Sequence, residues 1–299
     1  MYKNKAYIIK TKTNLHVGSD GTNFGIVDKE VQRDSITNLP VINGSSLKGA
    51  IRDHFKDLLS SNNDLEIGSE MVKPFVFKTI FGDEQKNLDE EDAKTYNTLP
   101  KQGLVKFVDA KLLFLPLRSN KKPYFHVISQ SNLQECKTLL NSFGIKVSFG
   151  NIQNRRKSVA VSYDKDVVVE DVECDSIELD IKELKKIFGI QNLAIFTDED
   201  FNEAISNLPV IARNSLQGSG NLWYEEVVPR ESIFYTVFCY YNNLDDETQD
   251  KRGRTDKRKF ENAYKLFEQK LLKDEIQIGA NASIGYGICN FSPLGETDE

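Results

Sequence analysis

Residues 39–61, LPVINGSSLKGAIRDHFKDLLSS, change their periodicity within a few positions. Pro40, Val41 and Ile42 read as a short extended entry. Gly44, Ser45 and Ser46 supply a turn and a helix N-cap. Leu47, Ala50, Ile51, Phe55, Leu58 and Leu59 then recur at helical spacing. Upstream, KAYIIKTKTNLHVG (5–18) alternates and is rich in strand formers, which predicts a strand ending near Gly18. The stretch between them, GSDGTNFG, is a loop with three glycines. A strand, a wide loop and an amphipathic helix in succession require a mixed architecture.

The rest of the chain continues the mixture. Residues 103–117 read as a pair of strands broken near Asp109, and 131–144 as a helix closed by Gly144. SVAVSYDKDVVVEDVECDSIEL reads as strands, and IKELKKIFG (181–189) as a short helix. GNLWYEEVVPRESIFYTVFCYY (220–241) is a strand, a turn at Pro229 and a second strand. Residues 256–274 form a helix with Phe260, Ala263, Tyr264, Phe267 and Leu271 on one face. A glycine-rich segment between two β-like runs spans 277–294. Residues 60–102 are polar and punctuated, as an insertion would be. These patterns predict an α+β fold around a central, mostly antiparallel sheet.

The apolar run LLFLPL (112–117) is far short of the ~20 residues a membrane helix needs. No apolar signal segment follows Met1, so a cytoplasmic location is expected. Cys136, Cys174, Cys239 and Cys289 lack metal-ligand spacing and read as reduced, buried thiols. The net charge of −6 argues against a nucleic-acid binder. The charge is uneven, however. KRGRTDKRK (251–259) holds six basic residues and one acid, whereas DKDVVVEDVECDSIELD (164–180) is strongly acidic. Local patches, not the average, decide what such a surface attracts.

Common catalytic motifs are absent. GSSLKGA fails the phosphate-loop pattern because its lysine precedes the glycine, and GYGICN is not a dinucleotide fingerprint. Physical arguments single out other residues. Ser45 and Ser46 open a helix whose first amides would be free to bind an anion. Lys48 and Arg52 follow at i,i+4 spacing, away from the apolar side. A capped helix with a solvated face explains the same residues. Gly279, Gly285 and Gly287 permit close approach to a ligand, and Tyr286 between the last two can stack on a base. Glu225 and Glu226 alternate sides of a strand, and with Asp28 they offer carboxylates to a divalent metal. His16 lies just before the glycine loop, and a structural role is its ordinary one.

Four blocks resemble one family as a set. They are LHVGSDGTNFGIVDKEVQRDSITNLPVINGSSLKGAIRDHF (15–55), FGDE with VKFVDAKLLFLPLRS (105–119), GNLWYEEVVPRESIFY (220–235) and IQIGANASIGYGIC (276–289). In this order they are similar to the RAMP superfamily, and most to the backbone (fourth) subunits of the Cmr complex, the type III-B CRISPR effector. The resemblance implies one domain over 1–299, a modified ferredoxin-like, RRM-like palm. It also implies a lid inserted at about 60–102 and a thumb at about 190–222. Copies would stack as a filament along CRISPR RNA beside other Cmr subunits, with no membrane. Each would cut complementary target RNA once, at regular spacing along the filament. The acid after the glycine loop, here Asp28, is the residue linked to the cut.

On that basis Asp28 would accept the ribose 2′-hydroxyl proton or hold a divalent ion, magnesium or manganese, bound only with RNA. Glu225, ahead of Glu226, and His16 would assist. Ser45, Ser46, Lys48, Arg52, Arg118, Gly285, Tyr286 and Gly287 would hold the guide backbone, which positions without reading sequence. The acidic 164–180 run suits a contact with the basic 251–259 run of another copy. Two other readings remain open: a guide-binding scaffold without chemistry, and a stand-alone guide-processing endoribonuclease.

Overall fold

A computed structural model describes residues 2–19, 27–60, 72–82, 102–147, 149, 156–215, 221–242 and 257–295. A large sheet organises the chain. Its strands follow the order β13 (Ile276–Gln277), β14 (Ile288–Leu294), β1 (Tyr2–Thr11), β12 (Ile233–Tyr241), β4 (Ala110–Arg118), β5 (Tyr124–Ser129), β9 (Leu193–Phe196), β6 (Val159–Val161), β8 (Val172–Ile177) and β7 (Val167–Val169). β2 (Val41–Ile42) pairs with β4, and β3 (Val105–Phe107) pairs with β12. Pairing is antiparallel except at β5–β9 and β6–β8.

Six helices are present among the described residues: α1 (Gly44–Ser60), α2 (Val72–Phe81), α3 (Gln130–Ser142), α4 (Lys182–Phe188), α5 (Asp198–Ser206) and α6 (Lys257–Lys273). They cover both faces of the sheet, and strand alternation decides which residue meets which layer. In β1, Tyr7 and Ile9 join the cluster that holds Leu47 and Ile51 of α1 and Phe267 of α6. Ala6 and Ile8 join the opposite cluster with Leu133 and Cys136 of α3 and Leu184 of α4. β12 is buried on both faces over eight of its nine residues, which explains its unbroken apolar and aromatic run. No helix among the described residues is long and apolar enough to cross a membrane. All four cysteines are free and buried.

The predicted elements recur, with one early correction. β1 ends at Thr11, not near Gly18. Beyond it, side chains take over from the ladder: Thr13 Oγ1 accepts the Ile288 N–H at 3.0 Å, and Asn14 Oδ1 accepts the Arg230 N–H at 3.2 Å. The helix of 131–144 closes at Gly144, whose φ is +75°. Of the 60–102 insertion, only α2 and its immediate neighbours lie among the described residues. Within 190–222 stand β9, α5 and most of a separate hairpin, β10 (Val210–Ser215) with β11 (Asn221–Glu226), which forms its own two-stranded sheet.

Candidate active site

Four segments converge at the base of the β10–β11 hairpin. The chain after β1 pairs with the chain after β11: the Leu15 N–H donates to the Val228 carbonyl at 2.8 Å, and Val228 returns the bond at 2.9 Å. Residues 28–32 lie between these two. The Glu226 N–H donates to the Lys29 carbonyl at 2.9 Å, and the Gln32 N–H to the Val17 carbonyl at 2.7 Å. The glycine-rich segment closes from the other side, with the Ala280 N–H on the His16 carbonyl at 2.8 Å. Gly279 must be glycine here. Its φ is +83°, and a Cβ would meet the His16 carbonyl oxygen at 2.4 Å.

Buried charge fills the centre. Glu225 is 1% exposed. Its carboxylate accepts from Arg213 Nε and, at 2.7 Å, from Asn281 Nδ2, and His16 Nε2 stands 3.8 Å away. Burial alone would raise its pKa. The bonds from Asn281 and Arg213, with the charge of His16 and Arg213, outweigh burial and hold it below the usual carboxylate range. His16 is 3% exposed and its Nδ1–H donates to the Glu226 carbonyl at 2.7 Å. Glu226 is also buried, accepting from the Val31 N–H at 3.0 Å and from Arg33 Nη2 at 2.5 Å. Each acid of the WYEE run therefore faces its own arginine.

Asp28 lies outside this interior. It is exposed, and its Oδ2 accepts the Tyr224 N–H at 2.7 Å. The Tyr224 carbonyl in turn accepts from the Asp28 and Lys29 N–H groups at 3.0 and 3.1 Å. Lys29 Nζ sits 5.5 Å from the Trp223 ring centroid, and the Arg213 guanidinium 4.8 Å from that of Tyr286. One face of Tyr286 thus already carries a cation. Gly287 has a φ of +73°, and a Cβ on it would fall 1.9 Å from the Ile278 carbonyl oxygen. Gly285 has a φ of +80° and open space around it.

The sequence grouped His16, Asp28 and Glu225 as candidates for the chemistry and set Gly285, Tyr286 and Gly287 apart with the guide-backbone contacts; the structure places the two groups side by side. Several details differ. Gly44, not Ser45 or Ser46, begins α1, and its N–H donates to Asp109 Oδ1 at 2.6 Å. A protein carboxylate therefore already occupies the first amide of that helix end and adds negative charge where a phosphate would sit. Lys48 and Arg52 do share a face: burial, and then the neighbouring Arg52, holds the Lys48 ammonium below its usual pKa. Arg118 lies elsewhere. It pairs with Glu170 at 3.0 Å on a groove also lined by Asp171 and Glu173. The residues that sequence reasoning missed are Arg213 and Arg33. Arg213 sits two places diagonally from Glu225 across the hairpin, since Arg213 pairs with Trp223 and Ile211 with Glu225. The hairpin register would have pointed to it. Nothing local pointed to Arg33, which is 193 positions from Glu226.

The sequence model of one family, described as the RAMP superfamily, matches residues 8–290. This chain belongs to the RAMP superfamily. Among RAMP proteins it is 28% identical to the CRISPR system Cmr endoribonuclease Cmr4 of Pyrococcus furiosus, over 95% of this chain and 94% of that protein. Its fold is similar to that of oligomeric Cmr4 from Pyrococcus furiosus, seen in a crystal structure, at a TM-score of 0.64. The identity there is 22%, with 99% of this chain and 100% of the other covered. It is also similar to a chain in the cryo-EM structure of the Type III-B Cmr-beta bound to cognate target RNA. That TM-score is 0.68 at 22% identity, covering 97% of this chain and 96% of the other. The RAMP match takes in all four converging segments.

Proposed function

We propose that this RAMP chain is a backbone subunit of a type III-B CRISPR effector. Copies associate along a guide RNA in the cytoplasm, beside other Cmr subunits, and each cuts complementary target RNA. The observation that carries this reading is the near full-length likeness to a relative named as a Cmr endoribonuclease. The placement of Asp28, a solvent-facing carboxylate fixed on the rim of the converging segments, agrees with it. The core of the sheet serves as the modified ferredoxin-like palm, residues 60–102 as the lid and residues from about 190 to 222, which take in most of the β10–β11 hairpin, as the thumb.

The chemistry follows from what Asp28 can reach. The target ribose 2′-oxygen attacks phosphorus in line with the departing O5′; the 2′-hydroxyl proton passes to Asp28, the P–O5′ bond breaks to leave a 2′,3′-cyclic phosphate, and the departing 5′-oxygen takes a proton from water to become a hydroxyl. Flipping the nucleotide out of the helix makes that alignment attainable. Glu225 and His16 are too buried to meet a ribose, so they act as positioning residues that hold the Asn281 and Arg213 ends of the site. Lys48 and Arg52 hold guide phosphates, and the half-buried Tyr286 ring stacks on a base. Arg118, set among acids, is not a phosphate contact in this reading.

The donor set bears on the divalent ion. Among the described residues no three His, Cys, Asp or Glu side chains gather as a metal site. Glu225 is engaged by Arg213 and Asn281. Asp28 alone remains, which fits an ion held by one carboxylate with RNA phosphate oxygens and water completing its shell. When bound with RNA, magnesium or manganese would supply Lewis-acid relief of charge on the phosphate.

The scaffold reading draws on the same Asp28–Tyr224 bond, which also orders the loop. Complementary RNA added to the guide-loaded assembly with magnesium or manganese separates the two. Regularly spaced cuts are expected, each blocked by a 2′-deoxy sugar at its site. Intact RNA that stays bound would leave the scaffold.

A further inference from the structure

The groove between the β7–β8 hairpin and α5 has no part in the chemistry above. It is a cavity of about 860 Å³. Leu115, Leu117, Phe196 and Leu208 form a buried apolar floor. The walls are acidic, with Glu170, Asp171, Glu173, Asp200 and Glu203. Arg118 is the one cation lining it among the described residues, and Glu170 already engages it. Asp200 is held by Ser158 and Thr197. Asp171, Glu173 and Glu203 are exposed and enter no ion pair among the described residues. Unpaired like charges above an apolar floor suit a partner that brings both cations and aliphatic stems.

The chain carries one segment of that chemistry. KRGRTDKRK, 251–259, has six basic residues and one acid and leads into α6. The fold sets its anchor at the opposite end of the sheet from the groove. β12 starts at Ile233, four residues after the groove residue Pro229, and finishes at Tyr241, about 27 Å away at ~3.4 Å per residue. Tyr264 of α6 bonds the Tyr241 carbonyl at 3.1 Å, and Phe267 packs against Phe238. The helix therefore runs back toward the start of β12, and its N-terminal end lies at the far end. An acidic groove at one end and a basic segment at the other meet when copies stand in line. Such a contact is heterologous, so each copy offers one free groove and one free segment to the next.

We propose that the groove is the docking site for the 251–259 segment of the next copy. This rests on the reading in which copies associate, and is independent of the role of Asp28. The RNA-free full chain is the probe, and sedimentation velocity over a concentration series is the readout. Two triple variants are compared with the wild type: Asp171→Lys, Glu173→Lys, Glu203→Lys in the groove, and Lys251→Glu, Arg252→Glu, Arg254→Glu in the segment. Each is expected to weaken self-association at least about tenfold, and added salt should weaken the wild type in the same direction. An equimolar mixture of the two variants should regain mixed dimers, which a misfolded groove variant would not do. Unchanged association in either variant overturns the proposal, as does a mixture that stays monomeric or a wild type that never associates. If the segment variant instead loses RNA while both variants associate normally, the segment is an RNA arm and the proposal fails. Target cutting in the guide-loaded complex, lost with Asp28→Asn, tests the nuclease reading separately.

Discussion

Asp28 and Glu225 are near neighbours across the Lys29–Glu225 bridge, yet their surroundings are opposite. Asp28 is exposed, with one backbone donor, the Tyr224 N–H, on its carboxylate among the described residues. Glu225 is sealed in, with Arg213, Asn281 and His16 around it. A buried acid that is fully engaged builds a frame, because releasing it would strand its partners. An exposed acid tethered to a rigid strand remains free for a reagent. The site thus divides its carboxylates by access to solvent, and the sequence types alone do not reveal which is which.

The largest expected effect tests the rim. Asp28→Asn should lower target cutting by about 10²–10⁴-fold while RNA retention stays unchanged. It keeps the size of the side chain and an acceptor for the Tyr224 N–H. Equal cutting by the variant, measured by product length on a denaturing gel, would assign the chemistry to another group. Next comes the frame. Glu226→Ala should cost about 3 kcal/mol, because the Val31 N–H loses its acceptor and the Arg33 guanidinium keeps only the Asn38 and Ile205 carbonyls in place of a carboxylate. Urea unfolding measures it, and a loss under about 1 kcal/mol would show that the frame is soft.

Gly287→Ala should destabilise by about 3 kcal/mol, since the Cβ collides with backbone and φ is unfavourable. Arg213→Ala should act through pH. Glu225 has a depressed pKa in the folded state, so its contribution is present above the unfolded carboxylate value and is lost as pH falls through the folded one. Removing Arg213 raises the folded value, and the acid limb of stability should move upward. Thermal unfolding from neutral pH to about pH 3 reports that shift. The smallest effect belongs to Gly285→Ala, about 1 kcal/mol, where φ is the only obstacle. Equal losses at the two glycines would mean that conformation, not crowding, governs the turn.

What was legible in the sequence follows from how local each signal is. Helix α6 announces itself because its burial repeats at helical spacing, as with Ala263, Phe267 and Leu271, and strand β12 does so through its unbroken apolar and aromatic run. The strand expected through Gly18 stops at Thr11 because Thr13 and Asn14 bond chain segments more than 200 positions away. Ser45 and Ser46 read as the helix cap from their residue type, but Asp109, 65 positions from Gly44, supplies the acceptor. The candidate site was visible in outline through His16, Asp28, Glu225 and the glycine turn. Its charge pairing was not, since Arg33 lies in a segment with no pattern of its own. The basic 251–256 residues lie outside those described.

The middle of the main sheet has a consequence for how the chain is made. β1, residues 2–11, is flanked by β12 at 233–241 and by β14 at 288–294. During synthesis the first strand leaves the ribosome with neither neighbour in existence, and Ile8 and Ile9 must stay out of aggregates until the last ones emerge. Closure of so wide a loop makes folding slow and late. A nascent-chain shortage of the last strand should therefore leave an otherwise complete polypeptide dependent on chaperones.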